Sequence, residues 1–317
     1  MIDTPKDWYA IVNPHAGSGK TMSEWELAGD TLAKLNVPYK ATLTTHKYHA
    51  TKLAYEAALH GYRRLIAVGG DGSLHEVISG MLQFCDESGT DPSEFYLAVI
   101  PIGSGNDWIK STKVPHDTKR VCELIAAGSF SQQDVFRVET SAGTCYMGNI
   151  GGVGFDAHVC ERVNAQKERG KRSELIYVAG LLYSLIHAKP FGVKLEIDGR
   201  KVYEGGIYTM AVGNGSYSGG GMRQVPEAEM NDGLIDWMIV PKQPLLGLIP
   251  IIPKLFNGTF TDSPKVFHGR CRSFRLDMTE NADPELVESD GEVIGRLPLR
   301  VTATGKKLNI LVGAPDD

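Results

Sequence analysis

The stretch Leu65–Leu82, LIAVGGDGSLHEVISGML, decides how the rest of the chain is read. Leu65 to Val68 are apolar without alternation, as in a strand buried on both faces. They stop at Gly69-Gly70-Asp71-Gly72-Ser73, and Leu74–Leu82 resumes with helical spacing. A strand that ends in glycines and enters a helix points backbone N–H groups at an anion. The same order recurs on either side. Trp8–Val12 reads as a strand stopped by Asn13-Pro14, followed by the loop Asn13–Lys20 (NPHAGSGK) and a helix over Glu24–Leu35. Tyr96–Ile100 reads as a strand, and Gly103-Ser104-Gly105-Asn106-Asp107 follows closely. Tyr39–Leu43 adds a strand, and Ala50–Leu59 and Cys122–Ala127 add helices.

Strands alternating with helices predict a parallel sheet with helices on its faces. Three glycine loops then fall at carboxyl ends of parallel strands, where open α/β sheets bind ligands. The candidate phosphate-binding residues are Asn13, Gly69, Gly70, Asp71, Gly72, Ser73, Gly103, Ser104 and Asn106. The first loop is not a P-loop, because Pro14 stands where that motif needs glycine. Asp71 among phosphate-like loops calls for a cation between carboxylate and phosphate, so Mg²⁺ is expected.

After about Asp134 the pattern changes to strands. They are expected at 135–138, 145–149, 193–197, 202–203, 207–212, 235–240, 274–276, 299–302 and 308–312, with a helix over 173–187. Asp198-Gly199 is a hairpin signal. This half predicts an antiparallel sandwich or barrel. The expected domains are 1–134 and 135–317, with the last strand, near 308–312, able to return to the first.

The 317 residues carry 33 Lys plus Arg against 38 Asp plus Glu, a net charge of −5, which argues against a nucleic-acid coat. With 42% hydrophobic residues the chain can bury a core, so global disorder is excluded. Five scattered cysteines without a CxxC pair predict free thiols, with neither disulfides nor structural zinc. No signal peptide is read at the N-terminus, and the apolar runs 175–186 and 245–253 are short of the ~20 residues that span a bilayer. A soluble cytoplasmic protein is expected.

GGDGSLHEVISGML (69–82) and PIGSGND (101–107) resemble the diacylglycerol kinase catalytic-domain family, which includes bacterial lipid kinases and the sphingosine and ceramide kinases. GNIGGVGFDAHV (148–159), GNGSYSGGGM (213–222), VPEAEMNDGLIDWMIV (225–240) and SDGEVIGRLP (289–298) resemble further family blocks in family order. The resemblance implies an α/β nucleotide-binding domain with an NAD kinase/phosphofructokinase-like parallel sheet. A C-terminal β-sandwich lipid domain with inserted helices follows, and the nucleotide binds in the cleft between. It implies ATP and Mg²⁺ as cofactors, a nucleotide contact at Thr44 and a further one at Ser104. It places the general base at Glu292, and a charged network joins Asp134 to Asp232 and the base. A structural Mg²⁺ would be held by Asp232 with the carbonyls of Glu229 and Leu234, a donor set that suits a hard cation.

The function so implied is phosphorylation of the hydroxyl of diacylglycerol or a related lipid, a step in phospholipid metabolism. His75-Glu76 and Gly103–Asn106 lean instead toward sphingosine or ceramide kinases. A soluble NAD kinase-like enzyme is a weaker alternative, since its Asn-Thr-Glu motif is not found. An idle nucleotide or lipid sensor is another, opposed by the intact Asp290-Gly291-Glu292. A lipid substrate implies a peripheral membrane surface, at the inner face of the membrane. The basic run Gln166–Arg172 and the apolar Leu245–Phe256 are candidates to touch it. The resemblance also allows a homodimer.

Overall fold

The alternation read from the first half is present in the computed structural model, which describes residues 7–103, 105–168, 189–244, 252–279 and 283–313. Strand β1 (Trp8–Val12) is followed by α1 (Thr21–Lys34), β2 (Tyr39–Leu43), α2 (His49–Leu59), β3 (Arg64–Gly69) and α3 (Asp71–Ser88). Then come β4 (Tyr96–Pro101), α4 (Asp107–Thr112) and α5 (Thr118–Ala127). β1 pairs in parallel with β2 and β3, and β3 in parallel with β4. Leu65, Ile66, Ala67 and Val68 are each 0% exposed, which accounts for their unbroken apolar run.

Helix α3 is longer than its apolar stripe predicted, because its first turn grows directly out of the glycine loop. Gly80 lies inside it against α2, and a Cβ there would overlap the carbonyl oxygen of Thr51. Glycine costs about 1 kcal/mol in a helix interior; here it permits the close approach of two helices. Helix α5 starts at Asp117, whose carboxylate accepts the N–H of Arg120 at 2.9 Å, an N-cap.

The remaining elements are β5 (Phe130–Thr140), β6 (Gly143–Met147), β7 (Ile150–Gly154), α6 (Phe155–Glu168), β8 (Phe191–Ile197), β9 (Arg200–Gly213) and β10 (Ile235–Pro241). They continue through α7 (Ile252–Asn257), β11 (Phe267–Cys271), β12 (Ser273–Met278), β13 (Leu286–Ser289), β14 (Glu292–Arg296) and β15 (Leu299–Leu311). The chain divides into two compact units, Met1–Val135 with Gly305–Asp317, and Phe136–Thr304.

In the second unit the antiparallel order is β14-β13-β7-β9-β8-β12-β15, and β10 joins β9 to β11. Its core gathers Phe136, Val193, Met210, Phe274, Leu276 and Val301 from strands distant in sequence. Asp198 and Gly199, at φ 48° and 76°, make the expected tight turn between β8 and β9. In the first unit, Asn309 and Ile310 of β15 pair in parallel with Tyr96 and Leu97 of β4.

The second half departs from the sequence reading in several places. The strands expected at 202–203 and 207–212 are one strand, β9, and those at 299–302 and 308–312 are one strand, β15. Strands β7, β11, β13 and β14 and helices α4 and α6 carry no local signal strong enough to be read. Strand β7, IGGVG, lacks both alternation and β-branched density, yet all five residues are buried. Its glycines are required by neighbours: a Cβ on Gly151 would lie 2.8 Å from the Glu288 carbonyl oxygen, and one on Gly152 would lie 3.1 Å from that of Met210. The helix expected at 173–187 lies outside the described residues, as do Ser104, most of Gln166–Arg172 and the first part of Leu245–Phe256. All five cysteines are free thiols.

Candidate active-site residues

The three glycine loops of the first unit come together. Asn13 Nδ2 donates to Ser73 Oγ at 3.1 Å, and its Oδ1 accepts the N–H of His15 at 3.0 Å. The N–H of Ile102 donates to the Gly69 carbonyl at 2.7 Å, so the second and third loops leave adjacent strands in register. A Cβ on Gly103 would lie 2.7 Å from Gly70 Cα, and one on Gly17 would lie 2.8 Å from the Ile102 carbonyl oxygen. Close packing of backbone on backbone, and not loop freedom alone, therefore demands glycine here. Asn106, at φ 46°, donates through Nδ2 to the Gly103 carbonyl at 2.9 Å. Its Oδ1 is buried and, among the described residues, accepts no hydrogen bond.

Asp71 occupies the first turn of α3, and its Oδ1 accepts the N–H of Trp108 at 3.3 Å, in the first turn of α4. A carboxylate at a helix N-terminus is favoured by the helix dipole. The sequence suggested only a cation partner for Asp71; in the structure it also caps a helix 37 residues further on. Thr44 is buried just past β2, its N–H donating to the Val12 carbonyl at 2.8 Å. Glu76 accepts the N–H groups of Tyr48 and Ala50, both at 3.0 Å, at the start of α2, and His75 is buried. His75-Glu76 thus has a packing and capping role that does not depend on the acceptor.

Asp134 is 3% exposed, and Lys307 Nζ lies 3.2 Å from its Oδ1. Lys307 carries no motif, and only the return of β15 brings it there.

In the second unit, Asp290 and Gly291 have φ of 52° and 84° and join β13 to β14. Glu292 is the first residue after this turn, opposite Ser289. Both Asp290 oxygens are engaged: Oδ2 accepts the N–H of Gly148 at 2.9 Å and Oδ1 that of Asn149 at 2.7 Å. The blocks GNIGG and SDGE, some 140 residues apart, are one interlocked feature.

The loop expected to bind a structural Mg²⁺ carries a guanidinium. Arg270 places Nη1 3.5 Å from Asp232 Oδ2, Nη2 3.8 Å from Glu229 Oε1 and Nε 3.1 Å from Asp236 Oδ1. Its Nη2 also donates to the Glu227 carbonyl. The other Asp232 oxygen accepts the N–H of Leu234 at 2.9 Å. Asp236 is 5% exposed, and burial pushes its carboxyl up to about 6 against the pull of Arg270. Among the described residues no group of three or more His, Cys, Asp or Glu could hold a metal ion. The Arg270 guanidinium thus already supplies positive charge to the side chains of Glu229 and Asp232.

Two domain families match this chain. Residues 7–138 match the diacylglycerol kinase catalytic domain, and residues 149–312 match the YegS C-terminal NAD kinase beta sandwich-like domain. The chain belongs to the diacylglycerol kinase family of lipid kinases. It is 28% identical over 313 residues to a diacylglycerol kinase of Staphylococcus aureus (strain Newman), covering 97% of this chain and 92% of that one. It is 27% identical over 242 residues to a "Probable lipid kinase YegS-like" of Xanthomonas campestris pv. campestris (strain 8004), covering 75% and 74%. A crystal structure of a diacylglycerol kinase from Bacillus anthracis str. Sterne superposes with a TM-score of 0.71 at 22% identity, covering 97% of each chain, a likeness of fold. Among the described residues no helix is long and apolar enough to cross a membrane.

Proposed function

We propose that the protein transfers the γ-phosphoryl group of ATP to the hydroxyl of diacylglycerol or a close relative, giving a phosphatidic acid-type product. The observation that carries this reading is the convergence of three glycine loops at the carboxyl ends of β1, β3 and β4. In this reading Asn13, Thr44, Gly69 to Ser73, Gly103, Ser104 and Asn106 hold the nucleotide, with backbone N–H groups at the start of α3 facing phosphate. Magnesium bound with the nucleotide would offset phosphate charge. Asp71 would hold it, with Asn106 Oδ1 a buried acceptor beside Gly70 and Gly103. No role is proposed for a metal at Asp232.

Glu292 takes the proton of the acceptor hydroxyl as its oxygen bonds to the γ-phosphorus, and the bond to the β–γ bridging oxygen breaks to release ADP. Asp134, ion-paired with Lys307, is assigned to positioning. The S. aureus relative supports diacylglycerol over sphingoid lipids, and the packing role of His75-Glu76 weakens the sphingoid reading. The lipid would be met at the inner membrane surface by a cytoplasmic protein, as a monomer or homodimer.

The test is transfer of labelled γ-phosphate with Mg²⁺ and ATP to mixed micelles of diacylglycerol, sphingosine or ceramide, with NAD⁺ as soluble control. Label on diacylglycerol is expected. Label on NAD⁺ alone would replace this reading with a soluble kinase.

A further inference from the structure

Two acidic side chains outside the proposed chemistry lie under the turn that presents Glu292. Glu288 on β13 is 7% exposed and pairs with Gly152 of β7. A Cβ on Gly152 would lie 3.2 Å from Asp156 Cβ and 3.3 Å from Glu288 Oε1, so the two acids flank one glycine. Among the described residues neither has a cationic partner. Asp156 takes two side-chain donors, Thr209 Oγ1 at 2.7 Å and Gln224 Nε2 at 2.9 Å. Glu288 takes one, the N–H of Gly291 at 3.1 Å on Oε2, which leaves Oε1 to carry a proton.

The other side of Gly291 is also held. Its carbonyl accepts from Cys160 Sγ at 2.8 Å and Asn164 Nδ2 at 2.9 Å, one turn apart on α6. The peptide groups just before Glu292 are thus gripped through both N–H and C=O.

We propose that Glu288 is a neutral carboxylic acid held across Gly152 from Asp156, and that it is a positioning residue fixing Gly291 and hence Glu292. The charged groups facing Glu288 are Asp156 from α6 and Asp290 and Glu292 from the turn; Gly152 of β7 and Val293 of β14 bring none. Burial and these like charges all disfavour its ionised form, and its carboxyl is raised well above the usual range. A second anion beneath the turn would repel Glu292, whereas an uncharged acid holds the N–H without that cost.

The inference rests on Glu292 being the base, and the experiment separates the two. Transfer from labelled ATP to diacylglycerol in mixed micelles is measured for wild type, Glu288→Ala, Glu288→Gln and Glu292→Gln. Alanine should lower kcat by about 10- to 100-fold with the KM for ATP within about twofold, and glutamine should rescue it. Wild-type activity in Glu288→Ala beside a dead Glu292→Gln overturns the positioning role and leaves the base in place. If Glu292→Gln is fully active, or no lipid takes label, hydrogen exchange of the peptide spanning 288–296 decides. Faster exchange in Glu288→Ala supports the anchor, and unchanged exchange overturns it. The protonation state has its own readout. A neutral Glu288 makes the melting temperature of Glu288→Gln gain on wild type as pH rises from 5 to 8. A flat difference overturns the neutral acid.

Discussion

Replacing Arg270 by methionine tests the resident-cation account of the acidic loop. Methionine keeps much of the aliphatic volume and removes the charge facing Asp232, Asp236 and Glu229. Removing one partner of a buried ion pair costs roughly 3–5 kcal/mol, because the other charge stays buried alone. Asp236 meets that condition at 7% side-chain exposure, but Arg270 is 34% exposed and water screens its contribution. A loss of about 2–3 kcal/mol is therefore expected, a fall of roughly 5–10 °C in melting temperature for a unit of this size.

The loss should grow with pH. In wild type the Asp236 carboxyl is already raised from 3.8 to about 6. Without Arg270 it rises further. The folded variant then holds a proton that the unfolded chain releases above pH 4, so stability falls progressively from pH 4 past pH 6. Thermal unfolding by circular dichroism at pH 5, 6, 7 and 8, with EDTA and with millimolar Mg²⁺, reads all of this. Wild type should melt at the same temperature in EDTA and Mg²⁺. A melting temperature of Arg270→Met within about 1 °C of wild type at pH 7.5 would refute the reasoning, as would a clear Mg²⁺ stabilisation of wild type without nucleotide.

Glu292→Gln should lower kcat for lipid phosphorylation by about 10²–10⁴-fold with ATP binding near normal, measured by titration calorimetry; unchanged turnover would remove Glu292 as base. Gly103→Ala places a methyl 2.7 Å from Gly70 Cα and should weaken ATP binding by at least about tenfold, since the two loops must part. The same titration checks this, and wild-type affinity would show that the contact is dispensable. In Asp156→Asn the effect is on stability against pH. Burial raises the Asp156 carboxyl to about 6 from 3.8, so wild type loses up to about 3 kcal/mol as pH rises from 4 to 6 while the variant does not. Parallel urea-unfolding stabilities across that range would contradict the assignment.

The parallel sheet was legible because its signals are local. Leu65–Val68 is apolar because both faces are covered, and its glycines mark the strand end within five residues. β1 and β2 fall at Trp8–Val12 and Tyr39–Leu43 as read. What escaped depends on partners distant in sequence. Helix α4 begins where Asp71 can cap it, and β7 is a strand only because β9 and β13 press on its glycines. The candidate site divides along the same line. Gly69–Ser73 announces itself by composition, as does the Asp290-Gly291 turn. Lys307 beside Asp134, Arg270 among the acids and Glu288 beneath Gly291 are ordinary charged residues until the fold assembles them. The magnesium expected at Asp232 came from resemblance, and the sequence gives no sign that a guanidinium 38 residues away lies beside that carboxylate.

Strand β15 has a consequence for biosynthesis. Its far end supplies the neighbour of β4, where Asn309 also donates through its side chain to the carbonyls of Ser93 and Phe95, and the N–H of Val312 donates to the Ser129 carbonyl. A nascent chain emerging from the ribosome can complete four strands of the first sheet early, but β4 keeps a bare edge until residue 309 arrives. An unpaired strand edge is a template for self-association. During translation this protein therefore passes through a period in which its first unit is nearly finished yet sticky. Expressing residues 1–135 alone would make that period permanent, so a soluble fragment requires the closing strand to be supplied by fusion.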